Sequence, residues 1–194
     1  ERVRPPVATT DQMHKLYNVK YEIALNQNNQ PYFRERSDML PRAWMVHSAV
    51  ISDSATISAA MKHPGIDYSK TVVLEEKHNL NLPKNPDISS EAEIIEYGSN
   101  YIKIKVNAKA DGFLVLSEIW YPAWKAYIDG QPAKVYHANY CFRAVPVKKG
   151  NRIVEMRYES EAYAAGLTVS IISLLIAAAG IIYSYIPKRR KKTA

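Results

Sequence analysis

Several stretches of this chain alternate hydrophobic and polar residues with a period of two. Ile102, Ile104 and Val106 are separated by lysines, and the same alternation recurs in residues 154–158. Because successive side chains of a strand point to opposite faces, both stretches predict half-exposed strands. Residues 113–121 are almost continuously apolar instead, which predicts a central strand.

The leading residues 1–40 carry a weaker version of this pattern. Apolar and polar residues alternate in residues 16–23, which predicts one strand in this segment. The Asn-rich residues 26–31 follow it and predict a turn.

The middle of the chain predicts short elements. Residues 43–46 are apolar and predict a buried strand. Asp53 or Ser54 is suited to cap a short helix over residues 55–62, which we expect to be the only helix outside the C-terminal segment. Residues 79–90, rich in Pro and Asn, predict a loop.

Two further turns complete the pattern and indicate the fold class. Asp129-Gly130 is a strong hairpin dipeptide, and residues 147–151 contain a second turn signal. Short strands separated by Gly, Pro and Asn turns favour antiparallel sheets. We therefore predict a mainly β domain over residues 1–161, an antiparallel β-sandwich of jelly-roll-like proportions with one short helix and its core in residues 41–161.

The segment from residue 162 to residue 186 contains no charged residue and no histidine. A helix of this length reaches roughly 37 Å, more than the hydrocarbon core of about 30 Å. Basic residues crowd residues 187–194, whereas Glu159 and Glu161 lie at the other end. The charge asymmetry predicts a transmembrane helix with a cytoplasmic tail and an extracytoplasmic β domain.

The formal net charge of +7 arises mainly from that tail. Residues 187–194 hold five of the 26 basic residues and none of the 19 acidic ones, so the rest of the chain has a net charge of +2. A nearly neutral domain without a basic run predicts no nucleic-acid partner. The predicted partner of the helix and tail is the lipid bilayer.

The sequence contains no motif that predicts a metal centre, a cofactor site or a catalytic group. Cys141 is the only cysteine, and the five histidines are dispersed, so we expect no metal ligands and no intrachain disulfide. Among the carboxylates, Glu75-Glu76 is most simply a solvated strand end and Asp129 a turn residue. Glu118 lies inside the apolar run and needs a partner if it is buried.

Aromatic residues are densest between residues 120 and 127. Aromatic rings with interspersed hydrogen-bonding groups hold sugar rings in many proteins, but core packing also produces such clusters, and both interpretations stay open. The candidate sugar- or acceptor-binding residues are Trp120, Tyr121, Trp124, Asn139, Tyr140 and Arg143.

Small residues recur along the predicted membrane helix at intervals of three or four. Such a seam lets another helix approach closely, so it predicts packing against further transmembrane helices of the same protein. The seam consists of Gly166, Ser170, Ser173, Ala177, Gly180 and Ser184.

The chain starts at Glu1 without an initiator Met or an apolar signal segment. An extracytoplasmic domain requires an upstream segment that carries it across the membrane. We therefore expect this sequence to be the C-terminal part of a longer membrane protein.

Four motifs resemble the bacterial YfhO-type family of polytopic membrane proteins. Their order and spacing match the last large extracytoplasmic domain of that family and its final helix, and the resemblance covers most of the chain. Ala123 departs from the glycine that is usual in the third motif. The motifs are residues 16–21 (LYNVKY), residues 40–44 (LPRAW), residues 120–126 (WYPAWKA) with Asp129-Gly130, and residues 142–147 (FRAVPV).

The resemblance implies a multi-spanning protein of the bacterial cytoplasmic membrane, similar to C-type glycosyltransferases. Such enzymes transfer sugar from a polyprenyl-phosphate donor to cell-envelope polymers such as lipoteichoic acid, and their catalytic acidic residue lies in an early loop outside this sequence. This part would then supply acceptor or sugar recognition, through the aromatic patch and Pro41-Arg42, or structural support. The alternative hypothesis is a noncatalytic carbohydrate-binding or scaffolding module that one helix anchors to the cell surface.

Overall fold

The computed structural model describes residues 11–63 and 65–185. The chain divides into two compact units between Tyr158 and Glu159. Over the described residues, the first unit consists of two short helices and thirteen strands, and the second is one long helix. The elements are α1 (Asp11–Leu16), β1 (Tyr21–Leu25), β2 (Pro31–Glu35), β3 (Ala43–Val46), β4 (Ser48–Ile51), α2 (Ile57–Ala60), β5 (Thr71–Leu74), β6 (Glu91–Tyr97), β7 (Tyr101–Ala108), β8 (Gly112–Ile119), β9 (Trp124–Ile128), β10 (Gln131–Ala133), β11 (Tyr136–Ala138), β12 (Phe142–Val147), β13 (Gly150–Tyr158) and α3 (Glu161–Tyr185).

The strands form two large sheets and a separate hairpin. One sheet has five strands in the order β10-β9-β13-β7-β6, and the other has six in the order β3-β8-β12-β11-β5-β4. All pairs are antiparallel except the parallel pair of β4 and β5. Among the described strands, β1 and β2 pair with each other and with no other strand. The predicted mainly β, antiparallel class is confirmed.

The space between the two large sheets is an apolar core. The six-stranded sheet contributes Leu114, Leu116 and Val145, and the five-stranded sheet contributes Ile104 and Val154, all fully buried in one cluster. Alternate residues of each strand point into this layer, as the period of two in the sequence predicts. The two sheets therefore pack face to face as a sandwich.

The opposite face of the six-stranded sheet is buried as well. Phe113 and Val115 of β8 pack there against Leu16 of α1 and Ile57 of α2. Because β8 is covered on both faces, the side chains that point to either face are apolar. This explains the continuous apolar run and confirms the prediction of a central strand.

Both turns predicted after β8 are found, but only one of them joins two strands of the same sheet. Asp129 and Gly130 join β9 to β10 with φ of 51° and 80°, as a two-residue hairpin turn requires. The connection at residues 148–149 leads from β12 in one sheet to β13 in the other. It is a corner of the sandwich and not a hairpin.

The leading segment differs from the prediction. The strand expected over residues 16–23 begins only at Tyr21, because α1 extends to Leu16 and Asn18 adopts a positive φ of 57°. Met13 and Leu16 are fully buried at helical spacing, so burial fixes this helix. The first unit thus has two short helices where one was expected, and two strands in the leading segment where one was expected.

The other short elements lie in the predicted positions. Helix α2 lies within the predicted residues 55–62 but is shorter, Ile57–Ala60, and its N-cap residue is Thr56, not Asp53 or Ser54. The Asp53 carboxylate instead accepts hydrogen bonds in the preceding turn, from the backbone N–H groups of Ala55 (3.1 Å) and Thr56 (2.8 Å). Residues 79–90 form no helix or strand.

Helix α3 covers the predicted membrane segment. Within the described residues it is the one helix long and apolar enough to cross a membrane, over Glu161–Ser184. Ile186 and the basic tail of residues 187–194 lie outside the described residues.

Candidate functional site

A cleft lies at one end of the sandwich, between the β6–β7 turn and the last residues of β8. Its volume is about 400 Å³, which is within the range of small-ligand sites. Its walls combine aromatic rings, a carboxylate and exposed backbone. The lining residues are Tyr97, Gly98, Ser99, Ile102, Glu118 and Trp124.

The Glu118 carboxylate is the centre of a hydrogen-bond network in this cleft. Its Oε1 accepts hydrogen bonds from Arg42 Nη1 (2.9 Å) and from the Tyr97 hydroxyl (2.7 Å). Its Oε2 accepts one from Arg143 Nη2 (3.4 Å). The hydrogen bond to Glu118 raises the pKa of Tyr97, because ionising this hydroxyl would place a second negative charge beside the carboxylate. The sequence predicts that Glu118 needs a partner if it is buried, and the structure provides three: Arg42, Arg143 and Tyr97.

Arg143 is the least satisfied side chain of this network. It is only 1% exposed, and its guanidinium carbon lies 4.0 Å from the ring centroid of Trp124. Among the described residues its Nε and Nη1 have no hydrogen-bond partner. Burial lowers the pKa of Arg143 to about 10, and the nearby Glu118 carboxylate opposes this shift. Arg143 therefore stays cationic at neutral pH and stacks behind the indole of Trp124.

Two tyrosines extend the aromatic surface beside Trp124. Trp124 and Tyr158 are paired across β9 and β13, with ring centroids 5.5 Å apart in an edge-to-face contact. Tyr121 stacks on Tyr158 at 6.2 Å and is itself half exposed. The structure thus brings the predicted residues Tyr121, Trp124 and Arg143 together at one site.

Trp120 does not join this group. It stacks on His137 with ring centroids 4.8 Å apart, and its backbone N–H donates to the Cys141 carbonyl (2.7 Å). The chain leaves β8 after Ile119, so Trp120 and Trp124 end on different parts of the surface.

Asn139 and Tyr140 belong to the β11–β12 turn. Asn139 is fully buried, and its side-chain oxygen accepts a hydrogen bond from the Val73 backbone N–H (2.9 Å). Both residues have positive φ, 45° for Asn139 and 73° for Tyr140. Tyr140 packs against the core on the far face of the six-stranded sheet. The structure gives both residues a place in the turn, away from the cleft lining.

Sequence reasoning misses Tyr97 and Tyr158. Tyr158 continues the alternation of Val154 and Met156 at the exposed end of β13. Its position next to Trp124 follows only from the pairing of β13 with β9, which the sequence does not show. Tyr97 ends β6 without any local signal.

The other carboxylates that the sequence singles out have basic partners of their own. Within the described ranges, no three His, Cys, Asp or Glu side chains are grouped as metal ligands would be. The pairs are Glu75 with His137 (3.0 Å), Glu76 with Lys134, and Asp129 with Arg152 (3.0 Å).

All six seam residues lie in α3. The hydroxyls of Ser170 and Ser173 donate to carbonyls one turn earlier, at 2.8 Å each, so the helix satisfies them internally. A Cβ added to Gly166 or Gly180 meets no atom within 4 Å. The seam remains a prediction for packing. Its members are Gly166, Ser170, Ser173, Ala177, Gly180 and Ser184.

A β-sandwich followed by a helix of membrane-spanning length defines a membrane protein with a folded β domain. This chain belongs to the family of the bacterial membrane protein YfhO, whose model matches residues 11–170. The match covers the described part of the sandwich and the start of α3, which confirms the resemblance seen in the four motifs. No curated protein and no solved structure gives a significant match.

Proposed function

We propose that this chain is the C-terminal part of a polytopic bacterial membrane protein that resembles lipid-linked-sugar-dependent glycosyltransferases of the cell envelope. In this proposal its β domain binds a sugar of the acceptor glycan in the cleft around Glu118. The donor is a polyprenyl-phosphate sugar, and the catalytic residues belong to parts of the protein outside this chain.

The observation that supports this proposal is the combination of groups in the cleft. The half-buried indole of Trp124 offers an apolar face, and Glu118 and Arg42 offer an acceptor and a donor beside it. A sugar ring has both kinds of surface, since its C–H groups stack on aromatic rings while its hydroxyls hydrogen-bond to carboxylates and guanidinium groups. Arg143 holds the indole from behind and keeps the platform in place.

The charge distribution supports an extracytoplasmic position of the domain. Basic residues follow the membrane segment and acidic residues precede it, at Glu159 and Glu161. By the positive-inside rule the tail is cytoplasmic and the β domain faces the cell envelope, where its glycan acceptors are found.

Tryptophan fluorescence tests the proposal directly. The chain, inserted in lipid nanodiscs, is titrated with cell-envelope glycan fragments, and the emission is compared between Trp124→Phe and Trp120→Phe. The matched control is Trp120→Phe, because Trp120 stacks on His137 outside the cleft. We expect saturable binding that Trp124→Phe weakens several-fold, because phenylalanine offers a smaller stacking surface than the indole. Equal binding by both variants contradicts the site.

A cellular assay separates this proposal from a noncatalytic surface module. In the full-length protein, Trp124→Ala is expected to reduce the sugar content of the cell-surface polymer while the protein remains in the membrane. If glycan binding is lost and sugar transfer stays at the parental level, the domain is a carbohydrate-binding module without a part in transfer. Replacing α3 with an unrelated membrane span tests whether its seam supports assembly.

A further inference from the structure

The β1–β2 hairpin exposes an apolar face. Ile23 and Phe33 are directly paired and are 71% and 78% exposed. Their neighbours on the same face are exposed as well, since directly opposed residues of an antiparallel pair share a face. We call this set the apolar hairpin face; it consists of Tyr21, Ile23, Leu25, Pro31 and Phe33, and Glu35, which is paired with Tyr21, lies at its edge.

The polar face of the hairpin is turned toward the rest of the domain. Glu22 is largely covered and forms ion pairs with the buried Arg36 (3.3 Å) and with Arg34. Its Oε2 also lies 3.6 Å from His14 Nδ1 of α1. An amphipathic ribbon normally buries its apolar face and exposes its polar one. Here the arrangement is reversed, and the described part of the domain leaves these apolar side chains exposed.

We propose that the apolar hairpin face contacts the lipid bilayer. A stable protein interface needs about 800 Å² from each partner, which one face of a hairpin with two short strands does not provide. Contact with the bilayer does not require an interface of that size. Only Glu159 and Ser160 separate β13 from the membrane-length helix α3, so the domain is tethered close to the membrane. The covalent link keeps the membrane at high effective concentration, so a small apolar surface is sufficient for contact.

The charges around the face suit a lipid surface. Lys20 lies beside the face, with Nζ 5.3 Å from the Tyr21 ring centroid, and pairs with Glu35 at 3.5 Å. Of the two acidic residues of the hairpin, Glu22 lies on the other face, and Glu35 at the edge of the apolar hairpin face is paired with Lys20, which compensates its charge toward anionic headgroups. Long basic side chains beside apolar ones can extend to the headgroups while the apolar residues enter the interface.

Quenching by brominated lipid tests the contact. The chain carrying Phe33→Trp is reconstituted in phosphatidylcholine and phosphatidylglycerol vesicles with or without dibrominated phosphatidylcholine, and the signal of the parent chain is subtracted. We expect the emission of the introduced Trp to fall by about half and to shift to shorter wavelength, as for an aromatic residue at the interface. The matched control is Tyr32→Trp, in the same strand but on the other face, and it should be quenched far less.

Three outcomes overturn the proposal. A Trp at position 33 that stays unquenched with water-like emission shows that the face does not touch lipid. Equal quenching at positions 32 and 33 shows that the contact is not specific to this face. Blue-shifted but unquenched emission together with concentration-dependent crosslinking assigns the face to a second copy of the chain.

A second variant provides an independent check. Adding Ile23→Asp to the Phe33→Trp chain should abolish the quenching, and unchanged quenching in that variant also counts against the contact. None of these readouts depends on glycan binding.

Discussion

The layer between the two sheets changes character along one face of β8 and β12. In its middle, Leu114 lies opposite Val145, and both are fully buried among apolar side chains. At the next pair on this face, Leu116 lies opposite Arg143, and Glu118 follows at the end of β8. A dry core thus becomes a charged cleft within the length of one strand.

The apolar core and the charged cleft contribute differently to the stability of the fold. The core lowers the free energy of the folded state by removing apolar surface from water. In the cleft, a buried cation with two unpartnered N–H-bearing atoms costs stability, and apolar residues of similar volume would serve folding as well or better. Folding stability alone therefore does not explain the charged end of the layer, which is consistent with the proposed recognition of a glycan there.

The largest effect is expected in the core. Leu114→Ala removes a fully buried side chain between the sheets and should lower the free energy of unfolding by about 2–5 kcal/mol. Chemical denaturation followed by circular dichroism measures this loss. The control Leu25→Ala, at a residue that is 60% exposed, should change stability by less than about 0.5 kcal/mol. Similar losses for both variants would mean that the core is not where we place it.

The second effect concerns the centre of the cleft network. Glu118→Gln leaves the guanidinium groups of Arg42 and Arg143 without their carboxylate and should cost about 1–3 kcal/mol, since the Glu118 side chain is only 21% exposed. The control is Glu76→Gln, which removes the exposed pair with Lys134 and should cost less than about 0.5 kcal/mol. Equal effects in urea denaturation would remove the distinction between the cleft and an ordinary surface pair.

A third variant separates stability from recognition. Arg143→Met replaces the buried cation by an apolar side chain of similar length, and the free energy of unfolding should stay within about 1 kcal/mol of the parent or rise. Glycan binding should fall, because Trp124 loses the group that stacks behind it. A large loss of stability with unchanged binding would assign Arg143 to the core.

The smallest effect lies at a turn that belongs to neither region. Asp129 accepts hydrogen bonds from the Ile153 N–H and the Arg152 guanidinium, which lower its pKa. Its stabilisation is therefore complete above the unfolded-state pKa of about 3.9 and is lost as pH falls through the lower folded-state value. Because the side chain is 42% exposed, Asp129→Asn should cost only a few tenths of a kcal/mol at pH 7. In unfolding measurements the difference should shrink as pH falls below about 3.9 and vanish once Asp129 is protonated in the folded state, and a difference that grows with acid would contradict this assignment.

Local pattern was enough to predict most of the sandwich. The alternation in β7 and β13, the apolar run of β8 and the Asp129-Gly130 turn each depend on neighbouring residues alone. The helix α1 was missed because its burial depends on α2 and β8, which lie far away in sequence. The corner between β12 and β13 has the sequence of a hairpin turn, and only the sheet order shows that its strands separate.

The site was predictable only in part for the same reason. Tyr121 and Trp124 are close in sequence, so their grouping follows from one motif. The network around Glu118 joins Arg42, which is 76 positions away, and Tyr97, which is 21 positions away. Pairings over such distances depend on the register of several strands, which a single sequence does not contain.

The position of β13 fixes the point at which the chain leaves the sandwich. This strand leads to α3 and is hydrogen-bonded on both sides, by β7 and by β9. The backbone N–H of Tyr158, the last residue of the strand, donates to the Asn100 carbonyl (2.9 Å), and its ring contacts those of Trp124 and Tyr121. One residue is thus both the end of the sheet before the link to α3 and a part of the aromatic surface beside the cleft.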